Sequence, residues 1–315
     1  MVSVFLLISV CAPAFGQVVK ANGEAVSIER AKDDFDDLKS FLPSVRAARI
    51  VHLKGSGSDA GENEALHRAR RRFIQFLHED AGYKMLVLPV GIFEGAWANA
   101  QLRADSAVTA ASQTMYRVWR ESDAFLDILR YCQQTGKTES ALEIIGGLCR
   151  YHATGKELYS PHLIQFFDAA QPGLLDATDK GQIEKYLAGR SRLSRSSTEI
   201  RQKALILADT LLAKFASARP TLEKVHGSRQ TEMEYQFLKN MSTFVELEQL
   251  RAGDIPEDPE FQNQEKQQNL TWQLETHSPQ GKIIYWEGRG AGTNPLPAGN
   301  VDVFEIVLSY EKIDE

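Results

Sequence analysis

The sequence has few cysteines, little net charge and no long apolar run. Its 315 residues include three cysteines and carry a formal net charge of −6. A mildly acidic surface offers no electrostatic attraction to nucleic acid or to an anionic membrane, so we expect neither as a partner. A membrane-spanning helix needs about 20 consecutive apolar residues. Every apolar segment is shorter than that, so we expect no membrane span in the mature chain.

Residues 1–16 have the pattern of a secretory signal peptide. An apolar core from Val4 to Val10 is followed by small residues and a polar restart at Gln17, although no basic residue precedes the core. This pattern predicts removal of residues 1–16 and a secreted or periplasmic protein. The polar residues 17–32 are then expected to form a flexible N-terminal segment.

Two cysteines, Cys132 and Cys149, would remain after this cleavage. In an oxidising compartment they could form a disulfide bond. Each also lies among apolar residues, which is typical of a buried free thiol. The sequence leaves both alternatives open.

Short apolar runs that end at glycine-rich loops alternate with amphipathic stretches. Strands are predicted at residues 48–53, 84–90, 142–146, 282–286 and 301–308, and helices at 64–80, 93–103 and 119–134. This alternation predicts an α/β fold with a mainly parallel central sheet flanked by helices. Residues 159–252 show helical patterns and no strand pattern, so we expect a large helical insert there. Residues 33–315 are expected to form a single domain.

Seven segments share their order and spacing with a known family. They are ARIVHL (48–53), RRRFIQFLHEDAGYKMLVL (70–88), GIFEGAWAN (91–99), WRESDAFLDILRY (119–131), LEIIGG (142–147), QNLTWQL (268–274) and GKIIYWEG (281–288). On these segments the chain resembles the erythromycin esterase family, over most of the α/β portion and little of the insert. The resemblance implies an esterase fold in which Glu and His side chains at strand ends activate water against an ester.

The places where that family carries its catalytic motifs hold other residues here. In the family, the first strand ends in Gly-Glu-x-Thr-His-Gly, the second in a Glu, the third in Gly-Phe-Asp and the fourth in Trp-Ala-His-Asn-x-His. Here they read Leu53-Lys54-Gly55-Ser56-Gly57-Ser58, Pro89, Gly146-Gly147-Leu148 and Trp286-Glu287-Gly288-Arg289-Gly290-Ala291. A positioned acid or base typically accelerates a reaction about 100- to 10,000-fold. Loss of the set therefore predicts loss of hydrolysis.

Two sets of candidate site residues follow. If hydrolysis persists, the candidate general bases are His67, Glu62, Glu94 and Glu287. If an anion binds at the strand ends, the candidate ligand-binding residues are Lys54, Gly55, Ser56, Ser58, Arg72 and Arg289. The structural alternatives are a simple flexible turn for the glycine loop and a solvated helix face for the arginines. The seven histidines show no metal-ligand spacing, so we expect neither a metal nor a cofactor.

These observations favour an extracytoplasmic, catalytically inactive relative of the erythromycin esterases that acts as a binding or interaction module. Its expected ligand is small and anionic, or macrolide-like, which would connect it with the response to antibiotics. The alternative is an ester hydrolase, of macrolide-lactone type, with an altered active site. A third possibility is a structural partner of another protein.

Overall fold

The computed structural model describes residues 18–28, 34–55, 64–148, 153–187, 193–254, 261–277, 281–286 and 302–311. Its strands are β1 (Val18–Ala21), β2 (Glu24–Val26), β3 (Ile50–Gly55), β4 (Met85–Gly91), β5 (Glu143–Leu148), β6 (Ile283–Trp286) and β7 (Val303–Glu311). They form one seven-stranded sheet in the order β2-β1-β7-β3-β6-β4-β5. The five strands from β7 to β5 are parallel, which confirms the predicted α/β fold.

Eleven α-helices lie within the described ranges. They are α1 (Leu42–Ala47), α2 (Glu64–Glu79), α3 (Ile92–Arg103), α4 (Val108–Ser112), α5 (Arg117–Arg120), α6 (Asp123–Thr135), α7 (Ala153–Ala170), α8 (Ala177–Gln182), α9 (Thr198–His226), α10 (Ser228–Ala252) and α11 (Phe261–His277). Two 3-10 helices, Asp36–Phe41 and Leu193–Arg195, and a π-helix, Ile183–Leu187, complete the set. Helices α7 to α10 correspond to the predicted helical insert.

The N-terminal segment differs from the prediction. Residues 18–26, expected to be flexible, form an antiparallel hairpin whose β1 strand pairs with β7. Its two-residue turn is Asn22-Gly23, and both residues have positive φ, 49° and 86°. Asn-Gly is the preferred pair for such a turn because both residues tolerate this backbone conformation. Pairing with β7 buries Val19 and Ala21 completely, and this burial holds the hairpin on the sheet.

Helices cover both faces of the parallel sheet. On one face, α2, α3 and α6 pack against alternate apolar residues of every parallel strand, including Leu53, Leu86 and Trp286. On the other face, α11 packs against residues of the opposite alternation. Because both faces are covered, the strands read as continuous apolar runs, which is why their sequences predict them.

The helix predicted over residues 119–134 is interrupted. It consists of α5 and α6, and α6 begins after Ser122, whose hydroxyl accepts a hydrogen bond from the Phe125 amide at 3.1 Å. A serine at this position caps the helix by satisfying a backbone N–H that has no partner inside the helix. The interruption places Ser122 near the start of α2.

Glycines bring α3 close to β5. A Cβ atom on Gly95 would lie 2.8 Å from the carbonyl carbon of Ile145 and 3.0 Å from the Cα of Gly146. Both contacts are too short for any side chain. The segments GIFEGAWAN and LEIIGG therefore meet through backbone atoms.

Strand β5 lies at the edge of the sheet, and the Asn99 side chain covers part of that edge. Its Nδ2 donates to the Ile144 carbonyl at 2.7 Å, and its Oδ1 accepts from the Ile144 amide at 2.9 Å. The amide thus takes the place that a further strand would occupy. Covered edges resist pairing with other chains.

Candidate functional site

Three polar side chains form a chain of hydrogen bonds where α2 begins. The Ser122 hydroxyl donates to Glu64 Oε2 at 2.7 Å, and it lies 2.8 Å from His67 Nδ1. A hydroxyl has one proton to donate. Because that proton goes to the Glu64 carboxylate, the Ser122 oxygen can only accept from His67. The hydrogen bond between them therefore requires a proton on Nδ1 of His67. This assigns the Nδ1–H tautomer and leaves Nε2 as the basic nitrogen of the imidazole.

The His67 imidazole is fully buried. Its ring centroid lies 5.6 Å from that of Trp286 at an interplanar angle of 63°. The guanidinium carbon of Arg70, one turn along α2, lies 4.7 Å from the Trp286 ring centroid. His67 and Arg70 therefore both pack against Trp286, in the aromatic core beneath the strand ends.

Glu94 lies in the first turn of α3, directly after β4. Its Oε2 accepts a hydrogen bond from the Gly91 amide at 2.8 Å, and the side chain is fully buried. Helix α7 approaches so closely at Gly155 that a Cβ atom there would overlap the Glu94 carboxylate. In this position the carboxylate caps the helix N-terminus.

Lys54 and Gly55 end strand β3. Lys54 Nζ lies 2.5 Å from Glu305 Oε1 on β7, and His52 Nδ1 lies 3.6 Å from the same oxygen. Burial and the nearby Lys54 charge lower the pKa of His52 to about 4. The hydrogen bond from Lys54 lowers the pKa of Glu305. This part of the site is therefore an ion pair beside a neutral, buried imidazole.

Arg72 lies on α2, against the N-terminal segment. Its guanidinium forms a bidentate ion pair with Asp37, at 3.0 and 2.8 Å, and also donates to the Ser27 and Asp34 carbonyls. Burial acts to raise the pKa of Asp37, but hydrogen bonds from Arg72 and the Ser27 amide outweigh it and lower that pKa. Arg72 thus fastens the N-terminal segment to α2.

Several predicted features lie outside the described residues. They are the signal peptide at 1–16, the site candidates Ser56, Ser58, Glu62, Glu287 and Arg289, and the cysteine Cys149. The other cysteine, Cys132, is a buried free thiol, and burial raises its pKa to about 12.

A cavity of about 810 Å³ lies beside the sheet edge, away from the predicted residues. It is bounded by α3, β5, α7, the end of α9, the first three turns of α10, and α11. One wall contains His162, whose Nε2 lies 2.8 Å from Oε2 of the fully buried Glu234. Burial acts to lower the pKa of His162, but the Glu234 carboxylate outweighs it and raises that pKa.

Neither this cavity nor its His–Glu pair was predicted from the sequence. His162 lies in α7 and Glu234 in α10, and no local spacing connects them. The available signal was weak, since it consisted of a glutamate and a histidine on the apolar sides of two helices.

Neither a metal site nor a membrane-spanning helix is found among the described residues. No three His, Cys, Asp or Glu side chains lie together there as in a metal site. No helix of those ranges has both the length and the apolar character needed to cross a membrane.

The fold is similar to those of several solved structures. A Bacillus cereus protein superposes with a TM-score of 0.63 at 19% identity, over 84% of this chain and 62% of its own. A histidine-to-asparagine mutant of the erythromycin esterase EreC, in its open conformation, gives 0.61 at 17%, over 81% and 64%. A succinoglycan biosynthesis protein gives 0.62 at 11%, over 84% and 62%. No family model and no curated protein matches the sequence.

These likenesses establish a shared fold. The chain has the α/β architecture of an erythromycin esterase, as the resemblance in its sequence implies. It spans less than two thirds of the length of each of the three structures. At such low identities, function has to be argued from the site itself.

Proposed function

We propose that the chain is an extracytoplasmic binding protein with an erythromycin-esterase-like fold that does not hydrolyse esters. The observation that carries this proposal is the environment of His67, the one histidine among the candidate bases. Its ring is fully buried, its Nδ1 contacts Ser122, and it packs on Trp286. A general base has to lie within hydrogen-bond reach of the attacking water. The buried ring and the capping role of Glu94 both support a structural use of these groups.

The proposed ligand site at the strand ends consists of Lys54 and Gly55 together with Ser56, Ser58 and Arg289. An anion there would compete with Glu305 for the Lys54 ammonium. We therefore expect weak affinity for a simple anion, and tighter binding only where a larger, macrolide-like ligand adds apolar contact. Arg72 would act indirectly, since its guanidinium is already bound to Asp37.

The test is an assay of the full chain with erythromycin and with p-nitrophenyl acetate. We expect no turnover above background, and the same result for His67→Gln. His78→Gln is the matched control, because His78 lies three turns further along the same face of α2 and is also buried, against Tyr131 and the Ser140 carbonyl. Turnover that His67→Gln removes and His78→Gln retains would contradict the proposal.

Binding is measured separately from turnover. A ligand that binds the native state raises the midpoint of thermal unfolding in proportion to the logarithm of its concentration over Kd. We expect erythromycin, or a small anion, to produce such a shift without being consumed.

The second candidate function is ester hydrolysis with His67 as general base. The hydrogen bonds that link Glu64, Ser122 and His67 favour this function. They hold the imidazole in the tautomer whose Nε2 is basic, as general-base catalysis requires. In that case Ser122→Ala would lower kcat, because the imidazole would no longer be held in that tautomer. If Ser122→Ala leaves an observed rate unchanged, this mechanism is wrong.

A further inference from the structure

The cavity at the sheet edge has the dimensions of a small-molecule site. Its volume of about 810 Å³ falls in the range of about 300–1,000 Å³ that is typical of ligand pockets. It lies between α3 and the start of α10, along β5, and its lining does not include the candidate residues at the strand ends. Its lining has one cationic end, an aromatic middle and one buried amide.

The cationic end is the first turn of α10, a helix of 25 residues. Its N-cap is Gly227, which has no side chain to accept hydrogen bonds from the first amides. The first intrahelical bond is donated by the Thr231 amide to the Gly227 carbonyl, so the N–H groups of residues 228–230 have no acceptor within the helix. Amides without an acceptor and the dipole of α10 favour an anion here, and the carbonyl end of α9, which meets the same Gly227, opposes it in part.

Arg229 adds a full positive charge to this turn. Its side chain is exposed, lines the cavity and forms no ion pair within the described part of the chain. The carboxylates nearby already have cationic partners, since Glu143 is bound to Arg103 and Glu234 to His162. The electrostatic balance of the cavity therefore favours a negatively charged group.

The buried amide belongs to Gln273 of α11. The residue is only 3% exposed, and its Nε2 donates to the Gly146 carbonyl at a long 3.4 Å. Gln273 lines the cavity, and its buried Oε1 has no hydrogen-bond donor among the described residues. A buried acceptor that lacks a donor is unfavourable. A ligand that carries a hydroxyl or N–H group would supply the missing donor.

The middle of the cavity is aromatic. Phe93 and Trp97 of α3 have ring centroids 6.0 Å apart, and Phe93 contacts Phe237 of α10 edge to face at 5.5 Å. All three line the cavity. Such walls bind flat apolar groups, whose rings stack at similar separations.

We propose that this cavity binds a small aromatic carboxylate, with its carboxylate at the first turn of α10, its ring against α3, and a hydroxyl or N–H group on Gln273. This inference rests on the proposed binding function and names a site and a ligand class for it. This site lies beside the sheet edge and is separate from the proposed site at the strand ends.

The test is calorimetric titration of the full chain with 4-hydroxybenzoate, 4-hydroxyphenylacetate and 3-(4-hydroxyphenyl)propanoate. The three acids separate the carboxylate from the hydroxyl by increasing distances. We expect one of them to bind with 1:1 stoichiometry. Its methyl ester should bind at least about tenfold more weakly, because the ester has no charge for α10 to attract.

Four variants locate the site. Arg229→Gln and Gln273→Leu should each weaken binding about threefold or more, whereas Arg120→Gln, which removes an exposed arginine elsewhere, should not. Ala100→Trp should abolish binding, because Ala100 is exposed on the cavity wall and a larger side chain there fills the space without disturbing the core.

Failure of this inference is distinguishable from failure of the proposed function. If no acid binds, or if Ala100→Trp binds as the wild type does, the site is wrong, while a thermal shift with erythromycin would still support a binding protein. If an acid binds as described but esters are hydrolysed, the cavity stands and the non-hydrolytic function does not.

Discussion

Replacement of Gly95 by alanine tests the close contact between α3 and β5. The new Cβ would lie 2.8 Å from the Ile145 carbonyl carbon and 3.0 Å from the Gly146 Cα, and closer still to the Gly146 nitrogen. Carbon atoms in favourable contact are about 3.5–4.0 Å apart, so α3 would have to move away from β5 by roughly 1 Å. All three neighbouring atoms belong to the backbone of a buried strand, and they cannot turn aside as a side chain can.

We expect Gly95→Ala to lower the free energy of unfolding by about 2 kcal/mol. Overpacking typically costs about 1–3 kcal/mol, and a clash with backbone lies at the upper end. The gain in helix propensity of about 1 kcal/mol offsets a part of it. The measurement is urea denaturation followed by circular dichroism, with the slope compared to verify that the unfolded states are similar.

Gly181→Ala is the matched control for this substitution. Gly181 also lies in a helix, α8, but a Cβ there meets no atom within 4 Å. Only the propensity term remains, so this variant should be as stable as the wild type or more stable by up to about 1 kcal/mol. If Gly95→Ala and Gly181→Ala have equal stability, the contact does not constrain the fold as we argue.

Three further outcomes are expected. Asn99→Leu removes both hydrogen bonds to the edge strand and should cost about 1–3 kcal/mol in urea denaturation; an unchanged midpoint would show that water replaces the amide. The pKa of His52 is lowered from 6.5 to about 4, so the free energy of unfolding is highest above pH 6.5 and falls by about 3 kcal/mol as the pH falls towards 4. The pH dependence of unfolding should be weaker in His52→Gln. Parallel curves for the variant and the wild type would refute this. Arg72→Met removes the guanidinium from the partly buried Asp37 carboxylate, and should cost about 2 kcal/mol and speed hydrogen exchange in β1. Arg117→Met, which breaks an exposed pair, should change neither.

The elements of the sheet were predictable from local patterns. The apolar runs at 84–90 and 142–146 correspond to β4 and β5, because strands buried on both faces need apolar residues at every position. The N-terminal hairpin was not predicted, because it lies in a polar segment. Its turn signal, Asn22-Gly23, is local, but the burial that makes it a strand comes from β7 at the other end of the chain.

The break between α5 and α6 illustrates the same limit at shorter range. Periodicity alone continues through residues 119–134, and Ser122 interrupts it by capping the second helix. A serine followed by an acidic residue was the available signal. Its consequence for the site, the contact with Glu64 and His67, depends on how α6 packs against α2.

The sequence by itself determined the α/β class and the helical insert, because backbone geometry imposes periods of two and of 3.6 residues that local stretches reveal. Tertiary structure alone decided which polar groups meet. Glu64, Ser122 and His67 are joined only where α2 and α6 pack side by side, and His162 reaches Glu234 only across the insert. Hydrogen bonds require atoms to lie within about 3 Å, and that distance is decided by packing of the whole core.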